Sequence, residues 1–163
     1  MEGLRIAALV AATISTGLAA GVFGLYAHTI MPGLGRTDDR TFVAAFQSID
    51  RAIMNPWFLG GSFFGALLFT ILAMIAHVGR PAMPWIVAAL VLYAITFVIT
   101  IAINVPLNDA IKAAGDPDGI DLAAVRERFD EARWRSWNIV RVIASTTAFG
   151  LLTWALTLTG RSS

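Results

Sequence analysis

Residues 6–35 read IAALVAATISTGLAAGVFGLYAHTIMPGLG, thirty positions between Arg5 and Arg36 without one Asp, Glu, Lys or Arg. About twenty apolar residues in a helix cross the hydrocarbon core of a bilayer, so this stretch is long enough to span. The same arithmetic repeats along the chain. Twenty-eight such uncharged residues separate Arg51 from Arg80, another twenty-eight separate Arg80 from Asp109, and nineteen separate Arg141 from Arg161. The chain of 163 residues is 57% hydrophobic and only 14% charged, against about 25% charged in soluble domains. The pattern predicts an all-α integral membrane protein, an antiparallel four-helix bundle forming one domain over residues 1–163. It excludes a soluble enzyme, a nucleic-acid-binding module and a disordered tail. A net charge of +1 gives no sign of a polyanionic partner. With no Cys there is no disulfide, thiolate metal site or thiol nucleophile. The first run could be taken for a signal peptide. It continues past Ala19-Ala20 to Met31, however, longer than an h-region of about 7–15 residues, and is expected to be a retained span.

The predicted spans cover about 6–31, 55–78, 83–108 and 133–158. Pro32-Gly33 and Gly35 stop the first, Asn55-Pro56 opens the second, and Gly79-Arg80-Pro81 turns the second tightly into the third. Loop one carries Phe42, Ala45, Phe46, Ile49 and Ile53 at helical spacing, which predicts an amphipathic helix at the membrane surface. Loop three, after the turn Gly115-Asp116-Pro117-Asp118-Gly119, sets Leu122, Val125, Phe129 and Ala132 on one side of a second amphipathic stretch. Loops one and three hold eight of the Lys and Arg residues against three (Arg5, Arg80, Arg161) at the other end. The positive-inside rule therefore favours cytoplasmic loops one and three, although ten acids share those loops.

Antiparallel spans fix which ends meet. The end beneath loops one and three gathers Tyr26 and His28, Asn55 and Trp57, Asn104 and Asn108, and Trp134, Trp137, Asn138 and Arg141. The other end offers His77, Arg80, Trp85 and a few hydroxyls, and His77 lies too far from His28 to share a metal ion with it. Helical spacing puts Gly17, Gly21, Gly24 and His28 on one face of span one. It puts Thr96, Thr100, Asn104 and Asn108 on one face of span three, and Trp134, Asn138, Arg141 and Ser145 on one face of span four. Polar groups in hydrocarbon turn inward for partners, so His28, Asn104, Asn138 and Arg141 are expected to line one cavity. Gly21 and Gly24 would then leave room for a flat molecule beside His28. Plainer readings compete: glycines that only pack helices or a dimer, a Thr–Asn stripe that only joins helices, tryptophans in an interfacial belt, and an Arg141 that snorkels.

At these residues the chain resembles a known family. The carriers are Gly17-Leu18-Ala19-Ala20-Gly21-Val22-Phe23 with Tyr26, His28 and Pro32, then Phe46-Gln47-Ser48-Ile49-Asp50 leading to Met54-Asn55-Pro56. Asn104-Val105-Pro106-Leu107-Asn108 and Trp134-x-x-Trp137-Asn138-x-x-Arg141 complete the set. Together they resemble the anthrone oxygenase-like family of small four-span membrane proteins. The resemblance implies an oxygenase that converts anthrones, polycyclic phenols, to anthraquinones with molecular oxygen as co-substrate.

On that reading His28 is the expected base, Asn104, Asn108 and Asn138 donate to a developing oxyanion, and Arg141 stabilises its charge. Trp57 and Trp137 would sandwich the flat ring system. A rival enzyme reading makes His28 the axial ligand of a haem. A non-enzymatic reading makes the protein a small transporter or scaffold that binds a lipid or partner. Expected partners are the bilayer, a hydrophobic small molecule and a second copy of the chain.

Overall fold

The computed structural model describes residues 2–161. Helix α1 (Glu2–Leu34) leads to α2 (Asp39–Ile53), then α3 (Trp57–Ala76), α4 (Met83–Ala113), α5 (Leu122–Phe129) and α6 (Glu131–Arg161). No strand occurs among the described residues. The four long apolar helices α1, α3, α4 and α6 are of a length and composition that cross a membrane. They run alternately up and down, with α1 against α3 and α6, and α4 against α3 and α6.

Small residues explain how closely they pack. Ala12 and Ala19 in α1, Ala66 and Ala73 in α3, Ala82 and Ala89 at the start of and within α4, and Ala148 and Ala155 in α6 are all buried. Each pair lies seven positions apart, which keeps both methyls on one seam and lets backbones approach. Leu9, Ile86, Tyr93 and Leu152, all fully buried, fill the space between these seams. Large apolar side chains such as Ile14, Leu68, Val98 and Ile143 point outward, as a lipid-facing surface requires.

The loop helices form a cap on one end of the bundle. Asp38 starts α2 by accepting the Thr41 N–H at 2.7 Å, and Asp121 starts α5 by accepting that of Ala124 at 3.1 Å. Asp130 adopts a left-handed conformation (φ 51°) that breaks α5 from α6, and its carboxylate accepts the Arg133 N–H. The buried face of α2 is Phe42, Val43, Phe46, Gln47 and Asp50. It turns down onto Phe129, Ile111 and Trp134. Gln47 fastens the cap by donating to the carbonyls of Ile111 and Gly115 at 2.9 and 3.0 Å. Arg126 does the same from α5, reaching the Thr37 carbonyl and Asp39.

Three stretches under this cap wind wider than an α-helix: Tyr26–Ile30 in α1, Trp57–Phe63 in α3 and Thr100–Asn104 in α4, all among the described residues. Such π turns recur at functional sites because they re-aim side chains and loosen the backbone ladder. Here all three lie toward the capped end.

Candidate functional site

A cavity of about 220 Å³ lies between these turns. Its wall is mostly apolar: Phe23 and Tyr26 from α1, Ile53 from α2, Phe58, Leu59, Phe63 and Phe64 from α3, Ile101 and Val105 from α4, and Trp134 from α6. Two of the wide turns supply Tyr26 and Thr100, and the third supplies Phe58, Leu59 and Phe63. Met54, Phe64 and Ile101 belong to the wall and are also about half exposed. The cavity therefore opens sideways between the start of α3 and the end of α4.

Arg141 and Asn108 are the predicted site residues that reach this wall; Asp50, Thr100 and Tyr26 add polar groups. Arg141 is 4% exposed, so it does not snorkel. One terminal nitrogen donates to Thr100 Oγ1 at 3.2 Å and the other to Asn138 Oδ1 at 2.8 Å. Its guanidinium stacks over the ring of Phe23 (4.5 Å) and lies 5.3 Å from that of Trp134. Nε has no hydrogen-bond partner, and no acid pairs with Arg141, among the described residues. An unpaired cation in a low-dielectric interior costs several kcal/mol as a rule. A bound anion would offset that cost.

The other expected residues are elsewhere. Asn138 is fully buried beside the cavity, not on it, donating to the Phe23 carbonyl at 3.0 Å and holding Arg141. Asn104 is also buried off the wall, donating to the Trp134 carbonyl at 3.3 Å. The hydroxyls of Thr96 and Thr100 bond carbonyls of their own helix. His28 is exposed on the outer face of α1, with Nδ1 at 2.6 Å from Thr29 Oγ1, and is not on the cavity wall. Gly21 and Gly24 have open space where a Cβ would stand, and neither borders the cavity. Trp57 and Trp137 stand outward at 65% and 37% exposure, and neither sandwiches the cavity.

The expectation that His28, Asn104, Asn138 and Arg141 share one cavity wall is therefore corrected: of the four, Arg141 alone lines it. The physical reason is the face of α1 that turns inward. Phe23 and Tyr26 pack against Trp134 and Arg141, which rolls the Gly21–Gly24–His28 side out of the bundle. A haem held by His28 does not fit this cavity for the same reason. No group of three His, Asp or Glu side chains takes metal-binding geometry among the described residues.

Asp50, within one of the quoted motifs, is a site residue that helical spacing on the spans does not single out. It is 4% exposed, accepts from Asn108 Nδ2 at 2.6 Å, and pairs with Lys112 at 2.8 Å. Asn108 Oδ1 accepts in turn from the Trp134 indole at 2.7 Å. A polar chain thus runs from Lys112 through Asp50, Asn108 and Trp134 to the flank of Arg141. The signal that could have found Asp50 was its place on the α2 face that carries Phe42, Phe46 and Gln47.

Fold and site together define a small four-span membrane protein with an aromatic-walled, cationic cavity under a helical cap. A family model described as anthrone oxygenase matches residues 53–151. That is more than half of the chain, and the protein belongs to this family. The match covers Asn104, Asn108, Trp134, Asn138 and Arg141; the quoted residues of α1 and Asp50 precede it. No curated protein and no solved structure matches the chain.

Proposed function

We propose that the protein is a membrane-bound monooxygenase acting on an anthrone-like polycyclic phenol, with Arg141 binding the substrate as its oxyanion. The carrying observation is the buried guanidinium of Arg141, without an acidic partner, on the wall of an aromatic cavity. An anthrone carries a methylene between two aromatic rings, conjugated through them to a carbonyl. Loss of a methylene proton places negative charge on that carbonyl oxygen, where an arginine beside it is stabilising. The anion's carbon then reacts with oxygen: a C–O bond forms and protonation gives a hydroperoxide. Removal of the remaining C–H proton, with O–O cleavage, leaves a carbonyl and water. One oxygen atom enters the quinone and the other leaves as water, so molecular oxygen is the sole oxidant required.

Flat rings pack against Phe58, Phe63 and Trp134 on the wall, and the sideways opening suits a substrate dissolved in the bilayer. The proton-handling groups on the wall are the Asp50 carboxylate and the Tyr26 hydroxyl, in place of the His28 expected from sequence. The charge count of the loops further supports placing the capped end in the cytoplasm.

The test is oxygen uptake and quinone formation by the purified protein with an anthrone. Arg141→Gln is expected to lower kcat/KM by about 100-fold or more, the order seen when one oxyanion donor is lost. Anthrone binding without oxygen uptake would make the protein a carrier and sink the enzyme reading.

A further inference from the structure

Two opposite charges border the cavity, Arg141 from α6 and Asp50 from α2. In so apolar a space they would be expected to attract one another strongly. They are nonetheless apart, because Asp50 is occupied elsewhere. One carboxylate oxygen accepts from Asn108 at 2.6 Å, and the other lies 2.8 Å from Lys112 Nζ, one helical turn further along α4. The Lys112 side chain is 24% exposed and is not on the cavity wall. Its ammonium also lies 3.1 Å from Asp109, an acid 62% exposed to the outside. Lys112 therefore offsets the charge of Asp50, while Asp109 faces outside, and leaves Arg141 as the cavity-lining cation without an acidic partner among the described residues.

We infer that Lys112 is a positioning residue: by holding Asp50 away from Arg141, it sets the cavity's selectivity for anionic over neutral aromatic ligands. This rests on reading the cavity as an oxyanion site. Without Lys112, the buried Asp50 carboxylate loses its counter-charge, and Arg141 lines the same cavity without an acidic partner among the described residues. An Asp50–Arg141 contact would fill the space and neutralise it. A purely structural Lys112 would lower stability and affect both kinds of ligand alike.

The experiment measures fluorescence binding of 9-anthracenecarboxylate and of its neutral carboxamide to the full chain in a neutral detergent. The wild type is expected to prefer the anion by about tenfold or more. Lys112→Met should bring the two affinities together, Lys112→Arg should keep the wild-type preference, and the double variant Lys112→Met with Asp50→Asn should regain it. The inference is overturned if Lys112→Met keeps the preference, or if the double variant does not recover it. Should Lys112→Met fail to fold, the double variant decides alone: folded and anion-selective supports the inference. A double variant that also fails to fold overturns it, since Lys112 would then hold up the fold and not restrain a charge. Arg141→Gln separates the two levels. If it keeps the anion preference, the oxyanion site itself is wrong; if it loses the preference while Lys112→Met retains it, only the role of Lys112 is.

Discussion

The side-chain amide of Asn138 in α6 donates to the main-chain carbonyl of Phe23 in α1 across 3.0 Å, and its oxygen accepts from Arg141 at 2.8 Å. One residue therefore joins two helices and orients the buried cation. Asn138→Ala should cost about 2–4 kcal/mol, because it leaves a buried charge short of a partner. Denaturant unfolding in detergent measures this; a loss under 1 kcal/mol, at the level of an ordinary surface change, would show that the contact is dispensable. Asn138→Asp instead supplies Arg141 with an acid but loses the donor to the Phe23 carbonyl, so anion binding should fall by about tenfold or more at some further cost in stability.

Arg141→Lys keeps the charge but not the planar fork that stacks on Phe23 and reaches both Thr100 and Asn138. Turnover of an anthrone is expected to lie between wild type and Arg141→Gln. Equal activity of Lys and Arg at this position would mean that charge alone suffices.

A Cβ on Gly65 would lie 2.5 Å from the Gly60 carbonyl oxygen, inside the wide turn Trp57–Phe63. Backbone cannot step aside as a flexible side chain can. Gly65→Ala should rewind that turn, move Phe58 and Phe63, and destabilise the protein by about 1–3 kcal/mol. Ligand affinity should drop with it. A variant with unchanged melting and binding would show that the turn relaxes freely.

The outward face of α1 gives the opposite expectation. His28, Gly21 and Gly24 lie off the cavity wall, His28 meets Thr29 outside it, and a Cβ at either glycine finds open space. His28→Ala, Gly21→Ala and Gly24→Ala should each keep anthrone turnover within about twofold of wild type, matching the roughly 0.5 kcal/mol or less typical of surface changes. Loss of activity in folded His28→Ala would return the base to His28.

Asp38 at the start of α2 has its carboxylate held below the ordinary 3.8, first by the backbone N–H of Thr41. A lowered acid stabilises the folded cap above the ordinary value, and the contribution disappears as pH falls through the lower, folded value. Protection of the Thr41 amide against hydrogen exchange, measured relative to an unstructured amide at the same pH, should therefore fall only below about pH 4. Asp38→Asn, which still caps, should remove that pH dependence. Identical acid profiles for the two proteins would exclude the effect.

Charge-free runs made the four spans legible in the sequence, because hydrocarbon tolerates no ambiguity about where Lys, Arg, Asp and Glu fall. Their ends were less so: α4 continues beyond Asn108 to Ala113, since Pro106 sits in the first turn after the wide turn and does not stop the helix. The gathering of Asn108, Trp134 and Arg141 at one end was legible from antiparallel order. Which side of each helix faces inward was not, and there the wide turns matter. An extra residue per turn shifts every later side chain around the axis, and even in α1, where steps of three and four keep His28 on the side of Gly21, they do not tell which side turns inward. Burial of Asp50 was hidden for another reason. Its partners, Asn108 and Lys112, lie on a different span, and no local spacing connects them.

The position of Arg141 in the chain also bears on how the protein is made. A lone arginine in the middle of an apolar helix resists entry into a bilayer by about 2.5–3.5 kcal/mol. Its hydrogen-bonding partner on another helix, Thr100, and the Phe23 ring beneath it belong to spans that precede it. α6 emerges from the ribosome after both of these spans, so both are already in place when it arrives. The same four segments reordered, with α6 first, would have to insert the arginine before anything in the membrane could receive it.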